Sequence, residues 1–203
     1  MHTLEANNLT KIIKKTQIVH DISLKLKSRE VVGLLGPNGA GKTTCFYMIC
    51  GLTDATDGEV LIDGESITHM PLSSRAKAGI GYLPQESSVF KDLTVEENLL
   101  MAAGALKMDK KAMHVRIDKL LEVFNINPIR HRLGIRLSGG ERRRVEIARS
   151  LVGEPKFLLL DEPFAGIDPI AVLDIQNIIP VSYTHLRAHE TPEHLVCRLL
   201  LEK

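Results

Sequence analysis

"GPNGAGKT", Gly36 to Thr43, is the stretch whose reading decides the fold. Gly36, Gly39 and Gly41 remove Cβ atoms where a backbone must turn tightly and approach a ligand closely. Before it, "EVVGLLG" (residues 30–36) is an apolar run ending on a glycine, the composition of a buried strand. After it, about Gly41 to Cys50, the chain reads as a helix. Strand, glycine loop and helix in that order, with the spacing G-x-x-x-x-G-K-[ST], make an anion cradle.

The chemistry of the cradle follows from its residues. Around Pro37 and Asn38 the loop bends so that the amides of Gly39, Ala40, Gly41, Lys42, Thr43 and Thr44 turn inward. The helix N-terminus adds positive potential. Lys42 is placed to reach the β- and γ-phosphates of a nucleotide, and the Thr43 hydroxyl suits Mg²⁺. ATP with Mg²⁺ is the ligand this pattern predicts.

A second acidic element lies downstream. "KFLLLDEP" gives an apolar strand, Phe157 to Leu160, that runs into Asp161 and Glu162. Carboxylates at the end of a parallel strand sit where α/β sheets bind ligands. Asp161 suits the Mg²⁺ shell, and strand alternation turns Glu162 to another side, where it can polarise the attacking water. Gln85, just after the strand "GIGYLPQ", can reach Mg²⁺ or that water.

"LSGGERRRVEIARSL", Leu137 to Leu151, opens a helix. Ser138 caps it and Glu141, three residues on, completes a capping box. Gly139 and Gly140 stand between them, where a helix disfavours glycine, and leave amides bare. Arg142, Arg143 and Arg144 read as a solvated face with an Arg142–Glu146 pair.

Composition narrows the classes. A net charge of +1 over 203 residues favours neither nucleic acid nor an anionic membrane surface. No apolar run approaches the roughly 20 residues that span a bilayer, so direct insertion is not expected. Cys45, Cys50 and Cys197 have no metal-ligand spacing, and a reducing, cytoplasmic setting fits.

The rest of the chain frames these motifs. "TLEANNLTKII" and "IVHDISLKL" read as antiparallel strands around a polar "KKTQ" turn, and "GEVLIDG" as a further strand. From Thr94 to Phe124 the pattern is helical, with Thr94 and Glu97 as a second capping box. A helical subdomain, about residues 86–137, is therefore expected as an insertion in an α/β core, the whole forming one domain over residues 1–180.

"GPNGAGKT", "LPQE", "LSGGE" and "LLLDEPFAGID" in fixed order resemble the nucleotide-binding subunits of ABC transporters. Together with the longer runs around them they are most similar to the ATPases of lipopolysaccharide export in Gram-negative bacteria, with branched-chain amino acid importer ATPases as the near alternative. The resemblance implies a P-loop NTPase core of the ABC ATPase type, with N-terminal antiparallel strands. It implies that Ser138, Gly139, Gly140 and Glu141 meet the ATP held by a second copy, in a head-to-tail dimer with Asp168 of "AGID" along the seam. It implies inner-membrane transporter subunits as partners and a peripheral place on the cytoplasmic face. Soluble relatives in translation or DNA repair carry paired cassettes or long coiled coils, which this chain lacks.

The sequence departs from the family twice. The position that stacks on adenine, usually aromatic, is Ile13, with Ile12 beside it, so an apolar wall remains without π-stacking. From Pro180 the text becomes "PVSYTHLRAHETPEHLVCRLLLEK", where the family continues into a central strand and a switch histidine. Residues 181–203 are read as a non-native tail. His185 and His189 lie four apart without supporting ligands, so a metal site is not expected there. Losing about five buried apolar residues forfeits on the order of 10 kcal/mol, so impaired folding and slow or absent hydrolysis are expected. Within the tail, "HLVCRLLLEK" has the composition to fill part of the gap, at the cost of Arg198.

Overall fold

The computed structural model describes residues 1–28, 30, 32–34, 36–37, 39–106 and 109–161, and the backbone of residues 195–198. Asn38, Glu162, Asp168 and nearly all of the tail fall outside the described residues. The described chain forms two compact units, one from residues 1–82, 155–161 and 195–198, the other Leu83–Glu154.

The first unit opens with a long hairpin, β1 (Thr3–Ile13) and β2 (Thr16–Lys27). Leu4 pairs with Leu26 on β2 and with Ile62 on β3 (Asp57–Ile62), which continues into the short β4 (Glu65–Ser66). The sheet order is β2-β1-β3-β4. The expected four-residue turn contracts to Lys14 and Lys15, whose φ angles of 47° and 68° suit the tight primed turn that matches strand twist. Helix α1 (Lys42–Cys50) buries Cys45, Phe46, Met48, Ile49 and Cys50 in the same apolar cluster as Leu4, Ala6, Leu9 and Val60.

Next come α2 (Leu72–Ala78) and β5 (Ile80–Leu83). A second sheet is ordered β5-β6-β7, with β6 at Phe157–Leu160 and β7 at Leu195–Arg198. β7 runs parallel to β6, pairing Phe157 with Leu195 and Leu160 with Arg198. The tail therefore supplies a strand beside β6, the one the sequence left as a gap.

Residues 30–36 were expected as a strand, yet Val32, Gly33, Leu34 and Gly36 lie outside every strand. Strand composition sets a tendency, and pairing with other parts of the chain decides the outcome. Val32 and Leu34 still pack against the apolar cluster.

The second unit is helical: α3 (Val95–Ala105), α4 (Lys110–Val123) and α5 (Gly139–Ser150). Thr94 caps α3 through the expected box with Glu97, and Asp109 caps α4 by accepting from the Lys111 and Ala112 amides. Leu99, Ala103, Ile117, Leu120, Leu121, Val145 and Ala148 are buried. The unit extends to Glu154 and so takes in α5, which packs on α3 and buries Val145, Ile147 and Ala148. Among the described residues no helix is long and apolar enough to cross a membrane.

Candidate functional site

In the first unit the glycine loop meets α1 with two residues in the left-handed region. Gly39 has φ 82° and Gly41 φ 83°. At Gly41 the need is double, because a Cβ would stand 2.7 Å from the Ile18 carbonyl oxygen and 3.0 Å from Val19 Cγ2. Gly36 is different: its Cβ would meet Ala40 Cβ at 3.5 Å, an ordinary contact. Within the chain, then, the backbone demands glycine at 39 and 41 but not at 36.

The Pro37 carbonyl accepts from the Ala40 amide at 3.2 Å, and the Gly41 carbonyl from Cys45 at 2.8 Å, which starts the helical ladder. The first four amides of any α-helix lack intrahelical acceptors, and here they belong to Lys42 and its neighbours. The Lys42 ammonium donates to the carbonyl oxygens of Gly36 at 2.5 Å and Pro37 at 2.8 Å. It is thus curled over the loop, where acceptor oxygens gather. Thr43 is exposed and Thr44 half-buried on the first turn.

Asp161 follows the last residue of β6 and is buried. On the neighbouring strand, burial first and then the Asp161 charge push the Tyr82 phenol well above its ordinary range. Tyr82 meets Tyr47 edge to face, ring centres 6.4 Å apart at 89°. Tyr47 lies four residues after Thr43, one helical turn along the same face of α1. Sequence reading passed over both tyrosines; the Thr43-to-Tyr47 spacing was the available signal. Ile12 and Ile13 are exposed at the end of β1, beside the hairpin turn.

In the second unit, Ser138 and Glu141 form the expected reciprocal cap. The Glu141 amide donates to Ser138 Oγ at 3.3 Å, and the Ser138 amide to Glu141 Oε2 at 2.9 Å. Arg132 Nη1 donates to the other Glu141 oxygen at 2.8 Å. The Ser138 amide, with the Ser138 hydroxyl and Arg132, holds this carboxyl below its usual range despite some burial. A Cβ on Gly139 would meet nothing within 4 Å, so the glycine is not there for packing. Gly140 is half-buried on the same turn.

The expected Arg142–Glu146 surface pair does not form. Glu146 is buried, and its partner is Arg143, also buried, with Arg143 Nη1 donating at 3.0 Å. The Arg142 guanidinium donates to the Leu137 carbonyl instead. Glu146 is drawn inward because Oε1 accepts from Ser87 Oγ at 2.8 Å and from the Ser88 amide at 2.9 Å. Arg143 also donates to the Pro84 carbonyl, and Arg149 to Ser88 O and Oγ while lying 5.3 Å over the Phe90 ring. Residues on α5 thus hold the chain on both sides of the exposed Gln85.

Comparison with known proteins places these features in a family. Residues 19–165 match the ABC transporter family. The chain is 56% identical over 180 residues to the lipopolysaccharide export system ATP-binding protein LptB of Haemophilus influenzae, covering 88% of this chain and 75% of that protein. It is 53% identical over 189 residues to the protein of the same name from Escherichia coli K12, covering 92% and 76%. Among solved structures, a nucleotide-free ATP-binding cassette from an ABC transporter superposes with a TM-score of 0.83 at 27% identity, covering all of this chain and 82% of that one. CbiO1 from Clostridium perfringens, part of an ABC transporter complex, superposes with a TM-score of 0.80 at 27% identity over 97% of this chain and 78% of that one. The glycine loop leading into α1, the capped Ser138 helix and the Asp161 strand end are thus the parts of a protein that belongs to the ABC transporter family.

Proposed function

We propose that this chain is the ATP-binding and ATP-hydrolysing subunit of a lipopolysaccharide export system, working as a homodimer on the cytoplasmic face of an inner membrane against transporter subunits there. The observation that carries this reading is the 56% identity, over 180 residues, to a relative named for that system. It weighs against the branched-chain amino acid importer alternative.

The residues fit the nucleotide. Gly36, Pro37, Asn38, Gly39, Ala40, Gly41, Lys42, Thr43 and Thr44 wrap the triphosphate, with amide donors and the Lys42 ammonium meeting its oxygens. Reaching it requires Lys42 to exchange the Gly36 and Pro37 carbonyls for phosphate. Ile13 offers an apolar surface to the base.

They also fit a hard cation. The Thr43 hydroxyl and the Asp161 carboxylate, with the Gln85 amide, are oxygen donors of the kind Mg²⁺ takes. Held by these residues, Mg²⁺ would supply positive charge against the phosphates. Glu162 polarises the water that attacks the γ-phosphorus, and the bond to the β-phosphate oxygen breaks to release ADP. Base assistance of this kind contributes about 10²–10⁴-fold.

The γ-phosphate is completed by the second copy. Its Ser138, Gly139 and Gly140 present a hydroxyl and helix amides with positive potential, Glu141 holds that cap in shape, and Asp168 lies along the seam. The domain runs over residues 1–180, with the helical subdomain inserted, and residues 181–203 are a non-native tail.

The test is reconstitution. ATPase activity in vesicles should rise when the membrane subunits of a lipopolysaccharide exporter are present. Activity that ignores those subunits but responds to the membrane subunits of a branched-chain amino acid importer would reverse the assignment.

A further inference from the structure

Arg75 is the most deeply buried charge among the described residues, at 1% exposure. It stands on α2, and its bonds lead away from that helix. Nε donates to the Met70 carbonyl at 2.8 Å and Nη2 to the Thr68 carbonyl at 2.5 Å. Nη1 donates to the carbonyls of Met48 at 2.6 Å and Ile49 at 2.8 Å. All four acceptors are main-chain oxygens, so the guanidinium serves as a jig for backbone.

Two of those acceptors are the last-turn carbonyls of α1, which no amide within that helix can satisfy. A cation there also complements the negative pole of the helix. The chain makes room for the guanidinium. Gly51, the left-handed cap of α1 at φ 79°, would otherwise place a Cβ 2.7 Å from Arg75 Nε and 2.9 Å from the Met70 carbonyl.

The other end of α1 carries Lys42 and Thr43. A nine-residue helix is too short to hold itself in water, so its position is set by what grips it. Apolar packing along its side resists tilting, and the seat of Gly41 on Ile18 limits movement at its N-terminus. A forked donor set on the terminal carbonyls resists sliding along the axis.

We propose that Arg75 is a positioning residue for the nucleotide: by seating the C-terminal carbonyls of α1 it fixes the depth at which Lys42 and Thr43 meet the triphosphate. This rests on reading the N-terminus of α1 as the nucleotide site. Arg75 acts through the helix and touches no substrate.

Hydrogen exchange on the full wild-type chain, with and without MgATP, tests it without a mutation. MgATP should slow exchange at residues 42–45 and also at 51–53, whose amides bond to the Met48 and Tyr47 carbonyls. Protection at 42–45 with none at 51–53 would overturn the proposal. No protection at 42–45 would overturn the nucleotide-site reading and this role with it, and Lys42→Ala binding MgATP like wild type would say the same.

Arg75→Lys keeps the charge and loses the fork. As folded as wild type by circular dichroism at 10 °C, it should bind MgATP on the order of tenfold more weakly, with residues 51–53 no longer responding. A purely structural role would lower the melting temperature and leave both readouts unchanged, which would refute the assignment.

Discussion

Gly41 rests on the backbone of Ile18: a side-chain carbon at position 41 would sit 2.7 Å from the Ile18 carbonyl oxygen. The phosphate loop is therefore held against β2 by contact as well as by dihedral angle. Gly41→Ala should cost about 1–3 kcal/mol of stability, since φ is 83° there and the strand must give way. It should also abolish measurable ATP binding. Calorimetric titration and a urea melt check both; unaltered binding would mean the loop tolerates displacement from β2.

Ile13→Tyr should tighten ATP binding roughly 2–10-fold, since stacking is worth about 0.5–1.5 kcal/mol beyond area. Ile13 is exposed at the end of β1, so the ring has space. Competition between ATP and tripolyphosphate separates a base effect from a phosphate effect. An equal gain for both ligands would place residue 13 away from the base.

Asp63 ties three parts of the first unit together. Its carboxylate accepts from the Thr3 amide at 2.8 Å and lies 2.7 Å from His2 Nδ1 and 3.0 Å from Lys156 Nζ. Partial burial pushes its pKa up, but the Thr3 amide, His2 and Lys156 together bring it down to about 2. A carboxyl held below its unfolded value near 3.9 stabilises the fold above that pH. The benefit fades as pH falls from about 4 through about 2. Asp63→Asn should thus lose up to about 1 kcal/mol at pH 7, a solvent-screened figure. The difference from wild type should shrink from about pH 4 downward and close only below about pH 2. Melting curves at several pH values decide it; a gap of unchanged size between pH 7 and pH 2 would assign the effect to something other than the charge.

The tail offers a direct comparison. β7 gives β6 four paired residues and places Arg198 level with Leu160 in register. Replacing residues 181–203 by the matching segment of the Escherichia coli relative should raise the melting temperature, at about 2–4 °C per kcal/mol for a chain of this size. ATP turnover should rise by about 10²-fold, the lower end of what base placement contributes. Equal turnover and equal melting would show that β7 is a sufficient substitute.

What could be read from the sequence was mostly local. Thr94 with Glu97 and Ser138 with Glu141 are complete within four residues, and both caps form as read. Helix α1 follows its glycine loop because that spacing admits little else. The misreadings share a cause, which is dependence on distant chain. Glu146 can face either Arg142 or Arg143 on a helix; Ser87 and Ser88, some 58 residues away, turn it inward. Residues 30–36 have strand composition, yet Val32, Gly33, Leu34 and Gly36 lie outside every strand, because composition alone does not decide pairing. Arg75 left no trace because its partners are carbonyl oxygens, which every residue carries.

Open space surrounds the place where a Gly139 side chain would be, and alanine is the better helix former by about 0.5–1 kcal/mol. Selection for thermal robustness of the isolated subunit would therefore drift toward alanine at 139 and register it as an improvement. On the role proposed for Gly139, only an assay scored on the working transporter would register what such a swap removes.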